Sequence, residues 1–83
     1  MEKFVGTREH RVFLDLLRNT RKSAGVTQVE LARRIDETQS YVSKIERGEL
    51  RLDFLQLRAV CHALGSSVPE FSKAFERRLG DGG

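Results

Sequence analysis

The stretch Thr27 to Gly48, TQVELARRIDETQSYVSKIERG, constrains this chain more than any other, because its caps and apolar spacing specify two short helices joined by a tight corner. Thr27 is a good helix cap, and Glu30 three residues on completes a capping box that satisfies the first free N–H groups. A helix therefore starts at Gln28. Leu31, Ala32 and Ile35 fall on one side of it at helical spacing, while Arg33 and Arg34 point elsewhere. Asp36 and Glu37 are poor helix formers, Asp tolerates the left-handed backbone that a corner needs, and Thr38 is the next cap. In the second helix Val42 and Ile45 face the first, which leaves Gln39, Ser40, Ser43, Lys44 and Arg47 outside. That outer set is amide, hydroxyl and cation. The small Ala32 lets the two helices cross steeply, as a helix-turn-helix requires.

The flanking segments read as three more helices. From Thr7, a stripe of Phe13, Leu16, Leu17, Thr20 and Ala24 predicts a first helix, stopped by Gly25, with Val12 and Leu14 off its centre. Gly48 ends the second of the two short helices, and Glu49 to Leu52 connect it to Asp53, which caps a fourth helix with Gln56 as its box partner. Phe54, Leu57, Val60, Cys61 and Leu64 are expected to form the buried face of that helix, and Gly65 its stop. Ser67 then caps a fifth helix with Pro69 in its first turn and Glu70 at the third position; Val68 and Phe71 should close the core. Neither a repeat nor a strand signal interrupts this order, since Leu50-x-Leu52 is too short an alternation to count as one. The fold class expected is all-α, one domain over residues 1–83 with its core at about 8–79 and flexible ends at 1–6 and 80–83.

Composition narrows the function classes. With 83 residues and 39% apolar content there is enough for one small core and no more. No apolar run approaches membrane-spanning length and no basic-then-apolar leader is visible, so a cytoplasmic place is expected. Cys61 has no partner for a disulfide and lies in an apolar stripe; His10 and His62 stand on different helices without ligands at metal spacing. No metal or cofactor is expected. Gly-rich phosphate loops, ligand clusters and a G-x-S-x-G elbow are all missing, which argues against catalysis. The formal charge of +3 is compatible with nucleic acid, and the basic residues are concentrated before residue 52, around the two-helix unit.

Arg21-x-x-x-Gly25-x-Thr27-Gln28-x-x-Leu31-Ala32 followed by Tyr41-Val42-Ser43-x-Ile45-Glu46-x-Gly48 resembles the phage-repressor, Cro and xenobiotic-response-element type of bacterial DNA-binding regulators, and the likeness extends through Ala63-Leu64-Gly65 to about Phe71. The resemblance implies a five-helix, lambda-repressor-like domain. It also implies that Arg21 and Glu46 form a partly buried ion pair tying the first helix to the third, with Arg21 able to reach a DNA phosphate as well. Two positions depart from the family: its usual corner Gly and the apolar residue after it are Asp36 and Glu37 here, whose negative charge would weaken non-specific affinity.

On that reading Gln39 and Ser40 open the helix whose end enters the major groove, where a Gln can pair with adenine and a Ser with several base edges. Lys44 a turn further on reaches guanine or a phosphate, with Ser43 beside it. Gln28, at a helix N-terminus, grips a phosphate with its amide and the free backbone N–H groups, as it does in relatives. Tyr41 either packs its ring against the second helix or bonds a phosphate through its hydroxyl. Arg47 and Arg51 flank the connection that runs beside the sugar–phosphate backbone in relatives, and plain solvated arginines are an equal alternative. Leu50, Leu52, Leu55, Phe75 and Leu79 are left over once the core is assigned and are candidates for a homodimer contact on a two-fold symmetric operator. Double-stranded DNA is the partner expected, with no small-molecule ligand. The rival reading is an antitoxin or other protein-interaction module on the same scaffold.

Overall fold

The computed structural model describes residues 6–81. Of the flexible ends expected at 1–6 and 80–83, residues 1–5, 82 and 83 fall outside them. In order come α1 (Arg8–Ser23), α2 (Gln28–Arg34), α3 (Gln39–Glu46), α4 (Phe54–Ala63) and α5 (Val68–Asp81), with no strand among the described residues. Each start follows from a side chain that accepts an otherwise unpaired amide. Thr7 Oγ1 accepts from His10 N at 3.1 Å, Thr27 Oγ1 from Glu30 N at 3.0 Å, Thr38 Oγ1 from Tyr41 N at 3.1 Å and Ser67 Oγ from Glu70 N at 3.3 Å. At Asp53 the box is complete, because Gln56 Oε1 also accepts from Asp53 N at 2.8 Å. The box expected at Thr27 forms only in half. Arg33 Nε at 3.0 Å and Arg34 Nε at 2.9 Å draw the Glu30 carboxylate along the helix instead of back to the cap.

The helix ends explain the corner. At α2, Glu37 N donates to Ala32 O at 2.8 Å and Asp36 N to Arg33 O at 3.3 Å, the paired closing bonds that require the intervening residue to turn left-handed. Asp36 does so with φ 59°, and among the described residues it is the one non-glycine residue with positive φ. The α3 end repeats the arrangement with Glu49 N donating to Lys44 O at 2.8 Å and Gly48 at φ 79°. A β-carbon on Gly48 would stand 2.9 Å from the Leu14 side chain and 3.3 Å from His10, so here the glycine also lets α1 approach.

Leu16 and Leu17 of α1, Leu31 and Ala32 of α2, Val42 and Ile45 of α3, Val60 and Cys61 of α4 and Phe71 of α5 meet in one core, with Phe13 set edge-on to Phe71 at 5.7 Å. Burial pushes the Cys61 thiol up, as befits a packing residue. Several expectations need correction. Ala24 is exposed, because α1 ends at Ser23 and the chain has already turned away from the core. Phe54, the first residue of α4, is 65% exposed, whereas Val60 and Cys61 further along the same helix are buried. Leu52 and Phe75, reserved for a partner, pack against the core instead, and Leu79 is half-buried. The helix expected to fray after residue 79 continues through Gly80 to Asp81. Its end is tied back to α1, because Arg8 donates to Leu79 O.

Candidate nucleic-acid interface

Residues that point inward hold the outer face of α3 in place. Val42 and Ile45 are buried against α2, and Glu46, on the same side, is 3% exposed. A buried carboxylate is tolerable only when paired and fully hydrogen-bonded. Arg21 supplies the pair: Nε reaches Glu46 Oε2 at 2.6 Å and Nη2 reaches Oε1 at 3.0 Å, while Nη1 donates to Val26 O at 2.9 Å. Burial by itself raises the Glu46 carboxyl, but the Arg21 and Gln28 hydrogen bonds and the charges of Arg21 and Arg18 outweigh it and hold the group below its ordinary range. The ion pair implied by the family resemblance is therefore present, and it locks α1 to α3. Its second implied role does not fit: Arg21 is 8% exposed and its guanidinium is spent on Glu46 and Val26, so it is not placed to grip a phosphate.

Sequence reasoning did not anticipate the bonds that follow. Gln28 Nε2 donates to Glu46 Oε1 at 2.9 Å, and Gln28 Oε1 accepts from Gln39 Nε2 at 2.8 Å. An unbroken run of side chains thus connects α1, through the buried carboxylate and the first residue of α2, to the first residue of α3. Arg18 also closes on this point, donating to Glu46 O at 3.2 Å. The signal for Arg18 was its place one turn before Arg21 on the same face of α1.

Gln39, Ser40 and Lys44 are exposed on α3, and Ser43 is half-buried beside them. Arg47 bonds the Ser43 hydroxyl and pairs with Glu49 at 2.8 Å, so a phosphate would have to compete with that carboxylate for it. Arg51 is exposed on the connection after α3. Tyr41 is half-buried against the core and lines a small groove with Ile35, just past α2, and with Gln56, Ala59 and Val60 of α4. Burial, then the charges of Glu37 and Asp53, pushes its hydroxyl up, so it stays a proton donor at neutral pH. The Asp36 and Glu37 corner is exposed next to this face. Among the described residues no group of three or more His, Cys, Asp or Glu could hold a metal ion. No helix among them is long and apolar enough to cross a membrane.

On the connection and the first turn of α4, Leu50 is 40%, Phe54 65% and Leu55 75% exposed. Of the five apolar residues reserved for a partner, Leu50 and Leu55 are thus open, and Phe54 joins them.

Comparison with known proteins gives a consistent picture. Residues 17–71 match the HTH_3 family model, described as helix-turn-helix. An XRE-family like protein from Pseudomonas syringae pv. tomato str. DC3000 superposes with TM-score 0.81 at 36% identity, over 92% of this chain and 93% of that one. The clp gene regulator ClgR from Corynebacterium glutamicum superposes with TM-score 0.71 at 35% identity, over 78% of this chain and 83% of that one. A second ClgR structure gives TM-score 0.71 at 30% identity over 90% and 84%. A search of curated proteins found no match.

Proposed function

The chain belongs to the HTH_3 helix-turn-helix family, and from that premise we propose that it is a sequence-specific, double-stranded DNA-binding transcriptional regulator, a repressor or controller, that reads the major groove with α3. One observation carries the reading: the exposed amide of Gln39 at the start of α3 is held in place from behind by Gln28 rather than left to solvent. A base-reading group gains from being fixed before it meets its target, because ordering it on binding would cost free energy. The likeness to a clp gene regulator supports the same class of function.

In this account Gln39 and Ser40 meet base edges, Lys44 reaches guanine or a phosphate, and Ser43 lines the same face. Backbone grip comes from the Tyr41 hydroxyl, Arg47, Arg51 and the one Gln28 N–H that its two bonds leave over. The regulator acts by binding alone, in the cytoplasm, without cofactor or catalysis. Two copies pair through Leu50, Phe54 and Leu55, so that two α3 helices meet a two-fold symmetric site. The same apolar residues are what an antitoxin or adaptor would offer a different protein, so binding must be tested directly.

Selection of sequences from a random duplex pool, followed by affinity measured across salt concentrations, does this. The expected result is an enriched, two-fold symmetric site whose log K falls linearly with log salt, by about 0.9 per phosphate neutralised. No enrichment, with weak and salt-insensitive binding, would turn the reading to the protein-interaction module.

A further inference from the structure

The run of bonds behind Gln39 has a direction, and its buried end sets it. An ionised carboxylate can only accept hydrogen bonds. Glu46, held by Arg21, therefore compels Gln28 to turn its NH2 inward, at 2.9 Å, and its carbonyl oxygen outward. Gln39, meeting that oxygen at 2.8 Å, must give up one Nε2–H to it. What it keeps for the DNA is one N–H beside one carbonyl oxygen. In the major groove adenine presents an acceptor, N7, beside a donor, the N6 amino group; guanine presents two acceptors, N7 and O6. The remaining pair of groups matches adenine in both bonds. Against guanine it makes one bond and sets two oxygens against each other. Were the run reversed, Gln39 would keep both N–H groups and match guanine.

We infer that the buried Glu46 carboxylate sets the polarity of the Gln28 and Gln39 amides and thereby selects adenine over guanine at the base that Gln39 reads, an inference that rests on α3 being the reading helix. Glu46 and Gln28 are then positioning residues for specificity. Neither has to touch a base, and the pair that holds α1 to α3 acquires a role at the DNA.

The test uses the selected site and the position at which Gln39→Ala loses its preference. Duplexes carrying adenine or guanine there are competed for wild type, Gln28→Met and Glu46→Gln. Wild type should prefer adenine by roughly ten-fold or more, the discrimination of a bidentate pair. Gln28→Met keeps the side-chain length and leaves the Arg21–Glu46 pair intact, so it tests the run without threatening the fold; its ratio should fall towards one while preferences elsewhere in the site persist. In Glu46→Gln the new amide can keep its oxygen on Arg21 and turn its NH2 to Gln28, which reverses the run, so its ratio should move towards guanine. A purely structural role for either residue would weaken both duplexes by the same factor, and that result overturns the inference while leaving the DNA-binding reading intact. Guanine at the Gln39 position of the wild-type site overturns it equally. Absence of any salt-sensitive duplex binding by wild type is a different failure, that of the functional reading itself.

Discussion

The α2–α3 face and the patch at the start of α4 solve opposite problems. On the first, charged and polar groups go inward: Glu46 and Arg21 are buried, and among the described residues no buried side-chain nitrogen or oxygen lacks a partner. On the second, apolar groups go outward: Leu50, Phe54 and Leu55 stand open. Burying charge costs stability unless every bond is made, so the first arrangement contributes to the fold only while it is complete. Exposed apolar side chains cost the monomer little, yet they favour association. Stability and orientation are thus vested in the polar network, while the proposed pairing would draw on the exposed apolar residues, and the two should respond to different substitutions.

The sharpest separation comes from Glu46→Ala. Removing one partner leaves Arg21 buried without its counter-charge, an expected loss of about 3–5 kcal/mol, a large share of the roughly 5–15 kcal/mol that holds a small domain together. Denaturant unfolding monitored by circular dichroism should show the midpoint drop. The same pair makes stability depend on pH. Because folding lowers the Glu46 pKa, its contribution is complete above the ordinary carboxylate value of 4.5 and is lost as pH falls through the lowered folded value; Glu46→Gln should flatten the acid limb of the stability profile.

Gly48→Ala probes the seam between the two regions. It forces a side chain into left-handed backbone and against Leu14, at an expected cost of about 1–2 kcal/mol. Gly25→Ala, with nothing within 4 Å of the new atom, should cost less in the same unfolding assay. Leu55→Arg addresses the other side: at 75% exposure it should leave the unfolding midpoint of the monomer nearly unchanged while weakening self-association roughly ten-fold or more in sedimentation equilibrium, as burial of an unpaired charge demands. An unchanged dimer constant would place the contact elsewhere. The smallest effect is expected from Asp36→Gly, which relieves the left-handed Asp at the corner and should stabilise by up to about 1 kcal/mol, with a slight rise in affinity for any duplex from the lost negative charge.

These regions also differ in how far the sequence revealed them. Caps are local, so Thr27, Thr38, Asp53 and Ser67 could be read directly, and so could the left-handed turn at Asp36, where Asp stands between two helical patterns. The Arg21–Glu46 pair, 25 residues apart, was legible only through likeness to a family. Where several partners compete, local patterns failed. Glu30 had Thr27, Arg33 and Arg34 within reach and bonded the two arginines. At Gln28 the bonds to Glu46 and Gln39 went unforeseen, because those residues come close only once α2 and α3 have crossed. Phe54 keeps helical phase with Leu57 and Cys61, but phase alone does not say which neighbouring helices extend far enough to cover a first turn.

The division of labour itself can be tested by following backbone amide shifts in the labelled protein as duplex is added. The largest changes are expected at Gln28, at Thr38 to Lys44 and at Arg47, all in the α2–α3 unit, with Phe54 and Leu55 unmoved at constant dimer content. Changes concentrated on Leu50, Phe54 and Leu55, with the start of α3 silent, would contradict it.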